Sequence, residues 1–126
     1  MRIVAALFAD DLDVRTVEGP STRLDLRGIK FSEAVEQFPA TVEPHLFVIV
    51  RCGADETGEG VLEVRFLRDG EQVARNVQPL QIEPGRFAYR LVRAELEYVA
   101  PATVEAHCSI DRAEPVVVPF TLISPS

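Results

Sequence analysis

His107, Ser109 and Asp111 have the residue types of a nucleophilic triad. At positions i, i+2 and i+4 of a strand they would share one face. A working triad needs its carboxylate behind the histidine, on the ring nitrogen turned away from the serine. On a straight strand Asp111 lies beyond Ser109 instead, and the sequence has no Gly-x-Ser-x-Gly elbow. The three residues therefore read as one solvated sheet face, and no catalytic residue is assigned. Ser21 and Ser32 sit in turn-like or capping contexts.

Two histidines and two cysteines would suffice in number for tetrahedral zinc. Their spacing argues against it. His107 and Cys108 are adjacent and must point to opposite faces of a strand. His45 and Cys52 differ by an odd number of positions, and there is no Cys-x-x-Cys pair. Asp10, Asp11 and Asp13 could offer oxygens to calcium, but the glycine-containing ligand loop is missing. They read as a turn that ends a strand. Glu63, Glu95, Glu97 and Glu105 are outward carboxylates that would need a cleft to do acid–base work. The glycine-rich stretch 53–60 carries Asp55, Glu56 and Glu59 and no lysine, so it repels phosphate. No metal and no cofactor is expected.

The elements that carry these residues are strands. Residues 3–8 form a first apolar run, rich enough for burial on both faces. Leu24, Leu26, Ile29 and Phe31 mark a second, with Gly28 as a bulge or point of close approach. Residues 46–52 form a central strand whose Leu46, Val48, Val50 and Cys52 face is wholly apolar. Leu62, Val64 and Phe66 face one way while Glu63 and Arg65 face the other. A short run surrounds Val73. Residues 87–98 change parity midway. Val104, Ala106, Cys108 and Ile110 share a face, and residues 116–123 close the series.

Asp69-Gly70 supplies a tight hairpin turn, Pro84-Gly85 fits a type II turn, and 53–60 reads as a mobile hairpin loop. One helical turn is expected over 32–38, capped by Ser32 and stopped by Pro39. The sum is an all-β chain: an antiparallel two-sheet β-sandwich of seven to eight strands, one domain over residues 1–126. Val48, Val50, Val64, Phe66, Leu96, Val104, Ala106 and Phe120 are expected inside, together with most of the seven Phe and two Tyr.

Several segments in this order resemble a known family. They are LFADD at 7–11, LDLRGIKF at 24–31, the Phe38-Pro39 pair, LFVIVRC at 46–52 and GVLEVRFLRDGEQV at 60–73. The long 87–110 segment and VVVPFTLI at 116–123 follow. Over nearly its whole length the chain is similar to a bacterial family of short, uncharacterised immunoglobulin-like β-sandwich proteins, a domain of unknown function. The resemblance implies an immunoglobulin-like sandwich and carries no active site.

Composition bounds the partners. The 126 residues are 47% hydrophobic and 26% charged, a globular balance. Thirteen basic against 20 acidic residues leave a formal charge of −7, which disfavours nucleic acid and anionic membranes. All the basic residues but Lys30 are Arg, a hint of a GC-rich genome. The run 3–9 meets Asp10, Asp11 and Asp13 too soon for a signal peptide, and no stretch is long enough to span a bilayer. A cytoplasmic protein is expected, in which Cys52 and Cys108 are buried thiols rather than a disulfide.

The expected function is a non-enzymatic protein-binding or assembly module, acting on a protein partner or as a homodimer. The alternative is a small hydrolase or metal-dependent enzyme whose site the residue pattern does not display. The expected contact is the outward parity of the closing strand, Val117 and Ile123, which leaves apolar side chains in solvent.

Overall fold

A computed structural model of the chain describes residues 1–16 and 22–125. The described residues form twelve strands and no helix. They are β1 (Arg2–Phe8), β2 (Asp11–Thr16), β3 (Thr22–Arg27), β4 (Ser32–Ala34), β5 (Ala40–Val42) and β6 (His45–Arg51). Then follow β7 (Glu59–Arg68), β8 (Glu71–Gln81), β9 (Phe87–Arg93), β10 (Leu96–Tyr98), β11 (Ala102–Ile110) and β12 (Val116–Ile123). The all-β expectation holds, and no helix of the described residues is long and apolar enough to cross a membrane.

The strand count exceeds the expected seven to eight for physical reasons. The run 24–31 breaks at Gly28, whose φ of 65° turns the chain out of β3. The parity change within 87–98 is a real break, with β9 and β10 in different sheets. Asp11, which was expected to end a strand in a turn, begins β2 instead. The helical turn expected over 32–38 does not form. Ser32, Glu33 and Ala34 pair in parallel with Thr121, Leu122 and Ile123, giving their backbone a sheet partner. The 53–60 segment is not a hairpin loop, because β6 and β7 lie in different sheets. It is pinned where Ile82 donates its N–H to the Gly58 carbonyl at 2.8 Å.

Four sheets result, in the orders β1-β6-β9, β4-β12-β11-β7-β8, β10-β5 and β2-β3. One continuous core joins the first two. From β6 come Leu46, Val48 and Val50, and from β7 come Leu62, Val64 and Phe66. Val104, Ala106, Cys108 and Ile110 enter from β11, and Phe120 and Leu122 from β12. All eight side chains expected inside are at most 1% exposed. The Phe8 and Phe120 rings meet with centroids 5.0 Å apart, tying β1 to β12. Each such side chain contributes about 1.5–3 kcal/mol of burial. Asp69 and Gly70 have φ of 53° and 78°, the paired positive angles of a type I′ hairpin turn between β7 and β8.

Candidate functional site

The triad candidates do not converge. His107 Nε2 lies 3.3 Å from Glu105 Oε1, on its own strand. Asp111 Oδ1 accepts the Val61 N–H at 2.9 Å and so closes a strand end. Cys108 points into the core, opposite His107, and burial pushes its thiol up to about 12. Cys52 is buried too, and neither thiol is bridged. Glu63 is taken by Arg75, with 2.6 Å between carboxylate and guanidinium. Ser21 lies outside the described residues.

The acidic run has a different role from the expected turn. Asp10 meets Lys30 at 2.9 Å, while Asp11 and Asp13 both receive the Arg27 guanidinium. The bond from Arg27, helped by the Leu12 N–H, holds the Asp11 carboxyl below its usual range. Asp10 in turn raises Lys30. Calcium would have to displace these cations, so the cluster reads as one face of a hairpin.

That hairpin is β2–β3, and its alternation sorts the side chains. Asp11, Asp13 and Arg15 oppose Arg27, Asp25 and Arg23, and Arg15 Nε reaches Asp25 at 3.0 Å. The other parity is apolar, with Leu12 opposite Leu26 and Val14 opposite Leu24. The base is fixed to the body by backbone bonds. Ala9 donates to the His45 carbonyl (3.1 Å) and Lys30 to that of Phe8 (2.9 Å), while Asp10 donates to that of Arg27 (3.0 Å) and closes the hairpin itself. Beyond that base the two strands have only each other as ladder partners among the described residues. β2–β3 is therefore an arm with one ion-paired face and one apolar face.

The apolar face of the arm lines the same space as the outer face of β1-β6-β9. That outer face follows from the core parity. With Leu46, Val48 and Val50 inside, Phe47, Ile49 and Arg51 point outward. The register then builds cross-strand rows: Leu7–Phe47–Leu91, Ala5–Ile49–Tyr89 and Arg2–Arg51–Phe87. A cleft of about 320 Å³ is lined by Val14 and Leu24 of the arm and by Phe87 and Tyr89 of β9. A neighbouring one of about 290 Å³ brings Leu12 against Phe47, Tyr89 and Leu91. Tyr89 lines both. Phe87 is 60% exposed and Val14 52%, values that single apolar side chains reach when a surface is left open.

Most of the aromatics were expected in the core; Phe87 and Tyr89 lie on the outer face of their sheet. The signal was present in β6. A strand apolar on both parities, with Phe47 and Ile49 as well as Val48 and Val50, needs a cover for its second face.

Val117 and Ile123 do lie on the outward parity of β12, 43% and 41% exposed. They are six positions apart, roughly 20 Å along a strand. Between them Thr121 is occupied by a hydroxyl bond to Thr103. β12 is not a free edge along its length either. Thr121 donates to the Phe31 carbonyl and Ile123 accepts from Val35, both at 3.0 Å. Odd-numbered residues of β12 thus turn their backbone groups away from β11. Pro115 and Pro119 share that parity and have no N–H to offer there. No protein-family model matches the chain, and no curated protein matches it.

Proposed function

We propose that the chain is a non-enzymatic protein-binding module of the bacterial cytoplasm, built as an immunoglobulin-like β-sandwich. One observation carries this reading: an apolar cleft between the β2–β3 arm and the outer face of β1-β6-β9. An arm held to the body by two backbone bonds and presenting Leu12, Val14, Leu24 and Leu26 stabilises little of its own fold. Its apolar stripe gains most when a second polypeptide fills the space beneath it. The two buried, unbridged thiols and the arginine-rich basic set fit a reducing bacterial cytosol. The sandwich reading is supported by the single core to which both larger sheets contribute. The cleft, rather than Val117 and Ile123, is the contact surface in this proposal, because β12 offers separated side chains and a proline-blocked edge.

Site-specific photo-crosslinking in the source cells tests it. A photoreactive phenylalanine in place of Phe87 or Val14 is expected to give a discrete adduct with another polypeptide. The same group in place of Val73, on the outer face of the five-stranded sheet, is expected to give none. Equal labelling at all three positions, or no adduct at any, would remove the cleft from the proposal.

A further inference from the structure

The end of the cleft at Phe87 carries a charge arrangement that the fold does not explain. Arg2 and Arg51 are direct cross-strand partners in β1 and β6 and point to the same outer face. Like charges placed directly opposite one another destabilise a sheet. Among the described residues neither guanidinium has a carboxylate within 4.0 Å; Arg51 instead lies 5.5 Å from the centre of the exposed Phe87 ring. The other arginine–arginine pairs are compensated locally. Arg65 faces Arg75, but Arg75 binds Glu63 at 2.6 Å and Arg65 Nε binds Gln72 at 2.9 Å. Arg15 faces Arg23, and Arg15 binds Asp25. Two guanidinium groups with no carboxylate beside them among the described residues, set next to an apolar cleft in a chain of charge −7, make the Arg2–Arg51 row a place suited to an anion.

Resting on the cleft as the contact surface, we infer that its occupant is an extended segment of a partner protein. That segment places an acidic side chain on Arg2 and Arg51 and apolar side chains further along the cleft. The register sets the spacing. The Arg2–Arg51–Phe87 row is followed by Ala5–Ile49–Tyr89 and then Leu7–Phe47–Leu91, two β9 residues per step. Successive rows lie roughly 7 Å apart, the repeat of alternate side chains in an extended strand. A segment with a carboxylate at one position and apolar residues two and four positions away matches row by row. Phe87, stacked by Arg51, supplies the junction between its charged and apolar parts. Nucleic acid would match the two arginines, but its charge density opposes the acidic remainder of the chain.

Selection of displayed random 12-residue peptides on the full chain tests this. The enriched peptides are expected to carry Asp or Glu two positions from an apolar residue. Synthetic copies are expected to lose about tenfold in affinity when that acid becomes its amide, about one charge-assisted contact. They are expected to lose as much on Arg2→Gln/Arg51→Gln, with no further loss when both changes are combined. The double variant is expected to be no less stable in urea than the wild type, since it relieves a like-charge pair. Arg51→Lys keeps the charge and is expected to retain part of the binding. Peptides free of acidic residues, or bound equally by the arginine variant, overturn the inference. If such peptides still lose binding on Val14→Asp, the cleft reading stands and only the carboxylate is refuted. If nothing is enriched, or if neither variant matters, both fall. A second copy of this chain bound in the cleft, seen as a dimer lost on Val14→Asp, also overturns it, as does displacement of the peptides by nucleic acid.

Discussion

Tyr98 lets one side chain report on the core in two ways. It is fully buried on β10, and its hydroxyl donates to the Phe120 carbonyl at 3.3 Å. Removing that hydroxyl as Tyr98→Phe keeps the ring and opens no cavity. The bond is long for an O–H donor. By the alternation of hydrogen-bonded pairs, the same carbonyl also faces the Val104 N–H across β11–β12. The expected loss at neutral pH is therefore at the low end for a hydrogen bond, about 0.5 kcal/mol, or roughly 2 °C in melting temperature at this chain length.

At high pH the sign reverses. Burial pushes the Tyr98 phenol up to about 12, with Arg68 acting in the opposite direction. The unfolded chain ionises this group near its ordinary pKa of about 10. Below that pH both states hold the proton and the contribution is constant. Above it the unfolded state sheds the proton first, so wild-type stability falls as pH rises from about 10 toward 12. The slope limit is about 1.4 kcal/mol per pH unit. Screening at the hydroxyl trims the loss by pH 11.5 to about 1–2 kcal/mol. Tyr98→Phe lacks this loss. Urea unfolding of both proteins from pH 7 to 11.5 is expected to show the variant weaker at pH 7 and stronger at pH 11.5. Cys108, whose raised thiol also titrates there, is present in both proteins and cancels in the difference. A stability difference independent of pH would refute the reasoning.

Other outcomes follow from the same structure. Gly58 has φ of 86°, and a Cβ there would stand 2.4 Å from the Ile82 carbonyl oxygen, whereas Gly70 has open space. Gly58→Ala is expected to lower stability by more than about 2 kcal/mol and Gly70→Ala by only about 1 kcal/mol in urea melts. Both thiols are expected to resist alkylation in the native protein and to react within minutes after unfolding without reductant; native reactivity would contradict their burial. Phe120→Ala removes a ring packed at a tilt against Phe8 and is expected to cost about 3–5 kcal/mol by chemical denaturation. Val117→Lys with Ile123→Glu is expected to leave sedimentation and fold unchanged, and loss of an oligomer would return the contact surface to β12.

The core was legible because a period of two on one buried face is a strong constraint. Shifting Val64 and Phe66 by one position would expose both, so their parity could be read without coordinates. The sites of breakage were harder. Nothing local in residues 87–98 states that β9 and β10 serve different sheets, because that depends on what each strand meets across the molecule. The short β4 depends on the remote Thr121 and Ile123. Asp10, Asp11 and Asp13 misled for a related reason. Three acids in four positions look like a turn until Arg27, far along the chain, neutralises two of them. The cleft was half visible. Leu12 and Val14 alternate with charges as an exposed hairpin should, and Phe47 with Ile49 announced a second apolar face, but only the structure sets the two against each other.

The surfaces closed to association sharpen what is left. Strand edges are the usual route by which β-proteins associate, and on β9 and β12 some of the outward backbone groups are already taken. On β9 the Leu91 carbonyl accepts Gln78 Nε2 at 3.0 Å, and that of Tyr89 accepts the Arg90 guanidinium at 2.9 Å. Pro115, just before β12, and Pro119 within it have no N–H to offer outward, and β4 covers Thr121 to Ile123. Protection of this kind guards against indiscriminate pairing, which any extended chain could otherwise achieve. The cleft is open by contrast, and it is lined by side chains rather than by unpaired backbone. Recognition there depends on where apolar groups and a charge fall along the partner. With Arg2, Phe87 and Val14 exposed and Arg51 half-buried along it, the cleft is arranged for selectivity toward one kind of segment.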